Sequence, residues 1–142
     1  MPVSINETRQ LLRAWLLADD TINAETAGNV FGAHLSSSDA QTVLDAKPIV
    51  VFAFTGGNAR VFREFETPTI EVYVYSKASL DDAGRVYDLV YARLSAERIK
   101  VDNIGPCGSA RETRRPVEGF NEQTAAWFLS ARWAFDVIAG PE

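Results

Sequence analysis

Residues 67–94 read TPTIEVYVYSKASLDDAGRVYDLVYARL, and their hydrophobic period changes from that of a strand to that of a helix without an intervening loop. Ile70, Val72 and Val74 alternate with Glu71, Tyr73 and Tyr75, which predicts a strand whose first set of side chains is buried and whose second set faces the other side of the sheet. Ser79 is a suitable helix cap, and apolar residues then recur at helical spacing. These are Ala83, Val86, Tyr87, Val90 and Leu94. A strand joined directly to an amphipathic helix therefore defines the centre of the fold.

The residues before this segment predict a helix and a long hairpin. The capping box SINE begins at Ser4 and predicts the first helix. Within residues 21–46, NVFGAHL is compatible with a short strand and SSSDAQTVLDA with serine-capped helical turns. The apolar run Ile49–Phe54 predicts a buried strand. The glycines and asparagine at 56–58 predict a chain reversal, after which ARVFREFE forms an arm of the hairpin.

The C-terminal third predicts a weak strand, a charged loop over residues 111–123 and a long closing strand, AAWFLSARWAFDVIA. In the closing strand we expect Trp127, Trp133, Phe135 and Val137 to face the helices, with Arg132 and Asp136 on the opposite side. The element order predicts an α+β fold, with a mainly antiparallel sheet of four to five strands and two main helices on one face. A single domain spanning residues 1–142 is expected from the length.

Charge and cysteine content narrow the functional classes. Fourteen Lys and Arg against nineteen Asp and Glu give a net charge of −5, which argues against a free-standing nucleic-acid-binding protein. One cysteine excludes an internal disulfide. No apolar run approaches the roughly 20 residues needed to span a bilayer, and no signal peptide is recognisable at the N-terminus.

Candidate chemical groups are few and isolated. His34 has no neighbours at metal-ligand spacing, and Cys107 lies in a glycine-rich stretch without a nearby base. The pairs Asp19-Asp20 and Asp81-Asp82 occur at helix ends, where capping explains them. We therefore expect no catalytic residues, no metal site and no cofactor.

The pattern of the strand, helix and closing strand resembles the tail terminator (tail completion) proteins of long-tailed phages and gene transfer agents. The similarity rests on ETRQLLRAWLLAD in the first helix, IEVYVYSKASLDDAGRVYDLVYARL in the centre and AAWFLSARWAFDVIA at the end. The matched positions include Val72, Val74 and Tyr75, the helical stripe of residues 83–94, Arg114 with Glu118, and Trp133, Phe135 and Val137.

This resemblance implies a structural virion protein made in the host cytoplasm and located at the head-proximal end of the tail. A hexameric ring would cap the tail tube, stop its polymerisation and join it to the connector or stopper protein of the head. DNA would pass through the lumen without specific binding, and no membrane would be involved. The candidate interface residues are Arg60, Phe62, Arg63, Phe65, Tyr73, Tyr75, Arg111, Arg114, Arg115 and Glu118.

Alternatives remain open at this point. Mixed charges over residues 111–123 are compatible with a solvated loop as well as with ion pairs between subunits. The chain could instead be another neck protein, a head-closure or adaptor component. A small α+β enzyme or ligand-binding domain is a third possibility, and it requires a pocket with convergent polar groups.

Overall fold

The computed structural model describes residues 5–32, 47–59, 65–102, 104 and 107–138. The helices in this part of the chain are α1 (Ile5–Leu17), α2 (Asp20–Thr26) and α3 (Leu80–Leu94). The strands are β1 (Val30–Phe31), β2 (Ile49–Ala59), β3 (Phe65–Ser76), β4 (Cys107–Asn121) and β5 (Ala126–Ile138).

These strands form one five-stranded sheet in the order β1-β2-β3-β5-β4. The two-residue strand β1 pairs with β2 in parallel, and every other pairing is antiparallel. The predicted α+β fold class is therefore confirmed. No helix in the described ranges has the length and apolar character needed to cross a membrane.

Helix caps explain where two of the helices begin. The Asp19 carboxylate accepts hydrogen bonds from the backbone N–H groups of Thr21 and Ile22, which lie in the first turn of α2. Ser79 caps α3 by accepting from the N–H of Asp82 at 3.0 Å. These contacts satisfy amides that have no partner within the helix. They confirm capping as the role of Asp19.

The hydrophobic core lies between the helices and one face of the sheet. Trp133 and Phe135 are fully buried there, as is the whole predicted stripe of α3. Helix α1 contributes Leu11, Leu12 and Leu16. The predicted faces of β3 and β5 are confirmed for the side chains described, because residues 70, 72 and 74 contact the same core.

Helices α1 and α3 are joined by a reciprocal contact between Trp15 and Arg93. The indole Nε1 donates to the carbonyl of Arg93, and the Nε of Arg93 donates to the carbonyl of Trp15, each at 2.9 Å. The guanidinium also lies 3.6 Å from the centroid of the indole ring. Stacking and hydrogen bonding together hold α1 against the C-terminal end of α3.

Two sequence predictions are wrong. The glycines at 56 and 57 do not reverse the chain, because β2 continues to Ala59 and the pairing only shifts register between Phe54 and Gly56. A bulge uses the conformational freedom of glycine as readily as a turn does. Residues 111–121 are not a loop, since they belong to β4 and pair with β5 through two register shifts.

Candidate functional site

The face of the sheet opposite the core carries an aromatic ladder. Tyr73 and Tyr75 are half-buried on neighbouring positions of β3, with ring centroids 6.0 Å apart and nearly parallel planes. Tyr75 also contacts Phe128 of β5, at 5.8 Å between centroids. We call this surface the open face, because α1 and α3 lie on the other side of the sheet. The prediction that both tyrosines face away from the helices is confirmed.

Apolar residues of β2 support the ladder. Ile49 and Val51 are buried and form a small cluster with Ala126, against which Phe31 and the two tyrosines pack. Burial is the main cause that raises the pKa of Tyr75 above its ordinary value, and the neighbouring Tyr73 adds to this shift. The open face thus carries a cluster of aromatic side chains, which are enriched in the cores of protein interfaces.

A buried carboxylate lies beside the ladder. Glu71 is only 5% exposed, although it lies on the open face. Arg132 donates its Nη2 and Nε to one carboxylate oxygen, at 2.7 and 2.9 Å. The other oxygen accepts from Arg114 at 3.0 Å and from the hydroxyl of Ser130 at 3.1 Å. Four donors therefore compensate the loss of hydration of this charge.

The candidate residues of β4 are divided between the two faces. Arg114 lies in the cluster around Glu71, and Arg111 pairs with Asp136 at 2.6 Å. Glu118 faces the helices, because its Cα partner on β5 is the core residue Leu129. Arg115 is exposed, on the same side as Glu118 at the border of a groove. Both ion pairs lie within one subunit.

Several predicted residues lie where the structure describes little. Arg60, Phe62 and Arg63 fall outside the described residues. Phe65 is the first residue of β3, paired with Ile138 of β5, and its side chain is not described. His34 also lies outside the described residues.

A second surface lies on the helix side of the sheet. An open groove of about 850 Å³ runs between α3 and the part of β4 that follows Glu112. Four acidic residues line it: Asp81, Asp88, Glu112 and Glu118. Glu112 accepts a hydrogen bond from Tyr87, whereas the other three have no hydrogen-bond or ion-pair partner within the described part of the chain. Arg85 and Arg115 are also at its border. Arg85 is already paired, with Glu25 at 2.9 Å and Asp82 at 2.6 Å.

Exposed aromatic side chains extend this groove. Among the described residues the exposed large apolar side chains are Tyr91, Val117, Phe120 and Trp127, at 45, 52, 47 and 40%. Tyr91 lines the groove and contacts Trp133 edge to face. Phe120 and Trp127 pack on each other with ring centroids 4.8 Å apart, two residue pairs beyond Glu118 and Leu129 and therefore on the same face. We call this combination of acidic and aromatic residues the acidic groove.

The floor of the groove is a hydrogen-bonded chain. Trp133 Nε1 donates to the hydroxyl of Tyr87 at 3.1 Å, and that hydroxyl donates to the carboxylate of Glu112. Burial raises the pKa of Tyr87 far above its ordinary value, and the hydrogen bond to Glu112 raises it further. The tyrosine remains protonated at neutral pH, so it acts as a fixed donor.

The other chemical candidates show no site within the described residues. Cys107 is buried and lies 3.6 Å from a guanidinium nitrogen of Arg98. Asp82 accepts from Ser76 and Arg85, which gives it a structural role. No group of three or more potential metal ligands occurs in the ranges that the structure describes.

Sequence reasoning missed three contributors to these surfaces. Glu71 and Arg132 were placed on the correct face but not recognised as partners, since 61 residues separate them. Trp127 was correctly expected on the helix-facing side, but the exposure of its side chain was not predicted. The available signal for Glu71 was a charge in the middle of an otherwise apolar and aromatic strand.

Comparisons with known proteins support the fold. No protein-family model and no curated protein matches the chain. A chain in the structure of the virion of a native gene transfer agent particle is similar, with a TM-score of 0.61 and 12% sequence identity. The alignment covers 92% of this chain and 94% of that chain. At this identity the similarity establishes a shared fold over nearly the full length of both.

Proposed function

We propose that this chain is a structural virion protein, a tail terminator that forms a ring on the head-proximal end of a tail tube. The observation that carries the proposal is the fold shared, end to end, with a chain of a gene transfer agent virion. The chain has no catalytic role in this proposal. Its function is to occupy the end of the tube, to stop further polymerisation and to bind a protein of the head.

A closed ring needs two different surfaces on each subunit. In a heterologous interface, one patch of a subunit contacts a different patch of the next. The open face and the acidic groove are two such patches on opposite sides of the sheet, and each combines aromatic and charged side chains. This supports a head-to-tail arrangement of subunits.

The edge strand β4 is suited to contacts through its side chains and not to pairing with a strand of another subunit. Strand β4 is an edge strand, and its outer side pairs with Ile99 at Gly108. Pro116, two register shifts and a run of charges follow along the same strand. Proline, bulges and charges each discourage an edge from accepting another strand. We therefore expect ring contacts that do not extend the sheet.

Termination does not need one strong contact. Several moderate contacts per subunit, repeated around a ring, give tight capping because each additional contact forms within an assembly that is already bound. The net charge of −5 is compatible with a lumen through which DNA passes, since phosphates are retained by basic linings.

Deleting the chain from a particle-producing strain tests the proposal. We expect heads to assemble, while tails become overlong or irregular and few join heads in electron micrographs. Supplying the intact chain in trans should restore uniform tails. Tails of normal length that remain separate from heads would favour a head-closure or adaptor protein. Tails of normal length attached to filled heads would contradict a role in either step.

A further inference from the structure

The network around Glu71 presents positive charge on the open face. The side chain of Glu71 is 7% exposed, whereas those of Arg114 and Arg132 are 38 and 45% exposed. Two guanidinium groups share this one carboxylate, which already accepts four hydrogen bonds. Within the described part of the chain, neither arginine has an acceptor for its Nη1 nitrogen. The network therefore has one surplus positive charge and unused donors, which a carboxylate of another molecule would match.

Apolar side chains continue this surface. Tyr73, Ser130 and Val117 are aligned across β3, β5 and β4, and Val117 is 52% exposed. In the next row the ring of Phe128 lies over the backbone of Gly119, where a Cβ atom would be only 2.5 Å from the ring. The open face thus combines a cationic end with an aromatic and aliphatic surface that none of the described elements covers.

The acidic groove is the complement of this surface. Its unpaired carboxylates are those of Asp81, Asp88 and Glu118. Of the two arginines at its border, Arg85 is bound to carboxylates of its own subunit, which leaves Arg115 as the opposing charge. Among the described residues, three unpaired carboxylates in the groove therefore stand against one unpaired guanidinium group.

We propose that the open face of one subunit packs against the acidic groove of a second copy. The guanidinium groups of Arg114 and Arg132 would pair with groove carboxylates, and the aromatic ladder would pack beside Phe120 and Trp127. Contacts between like surfaces are unfavourable, because two open faces would bring guanidinium groups together and two grooves would bring carboxylates together. This inference rests on the proposed ring and identifies the surfaces that join its subunits.

The positions of the two surfaces permit this contact only between copies. They lie on opposite sides of one sheet, so a subunit cannot bring them together within itself. Arg132 is four residues from Phe128 on β5, and Glu118 is two residues from Phe120 on β4. At about 3.3 Å per residue these separations are roughly 13 and 7 Å, so one contact can include charge and aromatic rings on each side. Since each copy in a pair retains one unused surface, the contact is head-to-tail and can close into a ring.

Mixing two assembly-deficient variants of the full chain tests the contact. The groove variant carries Asp88→Arg and Glu118→Arg. The open-face variant carries Val117→Glu and Arg132→Gln, which leaves an amide donor for Glu71. We expect the wild-type chain to form assemblies in sedimentation velocity, and association to be about tenfold weaker in either variant. The mixture retains one intact contact, so it should form heterodimers and nothing larger.

Two further substitutions isolate the role of charge. Glu97→Arg makes the same charge change as Asp88→Arg at an exposed carboxylate outside the groove, and it should leave association unchanged. Arg115→Gln removes the opposing charge from the groove and should strengthen association about threefold. If the variants do not fold by circular dichroism, Asp88→Asn with Glu118→Gln replaces the groove variant, and Val117→Glu alone replaces the open-face variant.

Three results would overturn the inference: no association of the wild-type chain, association that the groove substitutions leave unchanged, or a mixture without heterodimers. Weakening by Glu97→Arg as large as that by Asp88→Arg would also overturn it, because net charge and not the groove would then be responsible. Groove variants that still give tails of uniform length would overturn the contact and leave the proposed function intact. Conversely, association as expected, together with normal tails attached to heads after deletion of the chain, would overturn the proposed function and retain the contact between copies.

Discussion

Two consecutive residue pairs of the sheet show how differently its faces are built. Ile70 of β3 is opposite Trp133 of β5 on the helix-covered face, and both are buried among apolar side chains. The next pair, Glu71 opposite Arg132, lies on the open face and forms part of a network with Arg114 and Ser130. Glu71 is nearly as inaccessible to water as its neighbour Ile70.

The two faces therefore depend on different interactions. An apolar core is non-directional, and its stability follows the area and volume that it buries. A buried carboxylate depends on particular donors in a particular geometry, because each missing donor leaves part of the charge without compensation. The helix-covered face should therefore be sensitive to lost volume, whereas the network around Glu71 on the open face should be sensitive to changes of charge and hydrogen bonding.

The largest expected effect is on the helix-covered face. Replacing Trp133 by Ala removes the largest fully buried side chain among the described residues and the donor to Tyr87, and it should lower the free energy of unfolding by about 3–5 kcal/mol. Chemical denaturation measures this loss. The matched control is Trp127→Ala, which removes an indole that is 40% exposed and should cost much less. Equal losses for the two variants would contradict the assignment of Trp133 to the core.

An intermediate effect is expected on the open face. Glu71→Ala leaves Arg114 and Arg132 side by side without their shared carboxylate, and we expect a loss of roughly 1.5–3 kcal/mol. Glu71→Gln keeps the shape and should recover part of this loss. The control is Glu97→Ala, because Glu97 is an exposed carboxylate three residues after the last residue of α3. If Glu71→Ala costs no more than this control, the network contributes no stability.

The fold was largely predictable where hydrophobic alternation was clear. Strands β3 and β5 alternate with period two, so their faces follow from the sequence. Strand β4 was missed because RETRRPVE shows no such alternation, and its extended form depends on pairing with β5. The glycines of β2 were misread because one pair of residues is compatible with a turn and with a bulge, and only the partner strand decides.

The candidate surfaces were less predictable than the fold. Sequence placed Tyr73 and Tyr75 on the open face, since that follows from alternation alone. It did not pair Glu71 with Arg114 and Arg132, because strand order and register determine which distant residues become neighbours. The acidic groove is formed by α3 and β4, so misreading β4 as a loop removed one of its walls from the prediction.

The smallest expected effect concerns two tyrosines, one at the floor of the acidic groove and one on the open face. Burial raises the pKa of both Tyr87 and Tyr75 above the ordinary value of about 10, and Tyr87 also donates to Glu112. A raised pKa means that the folded state favours the protonated phenol. The corresponding stability is fully present below pH 10 and is lost as the pH rises through the raised values.

We therefore expect the free energy of unfolding to fall under alkaline conditions, measured by denaturation at several pH values. Tyr87→Phe should flatten this decline, and Tyr75→Phe should flatten it less, because the hydrogen bond to Glu112 raises the pKa of Tyr87 in addition to burial. An unchanged slope in Tyr87→Phe would show that the hydroxyl of Tyr87 is accessible to water and that the hydrogen-bonded chain beneath the groove does not form.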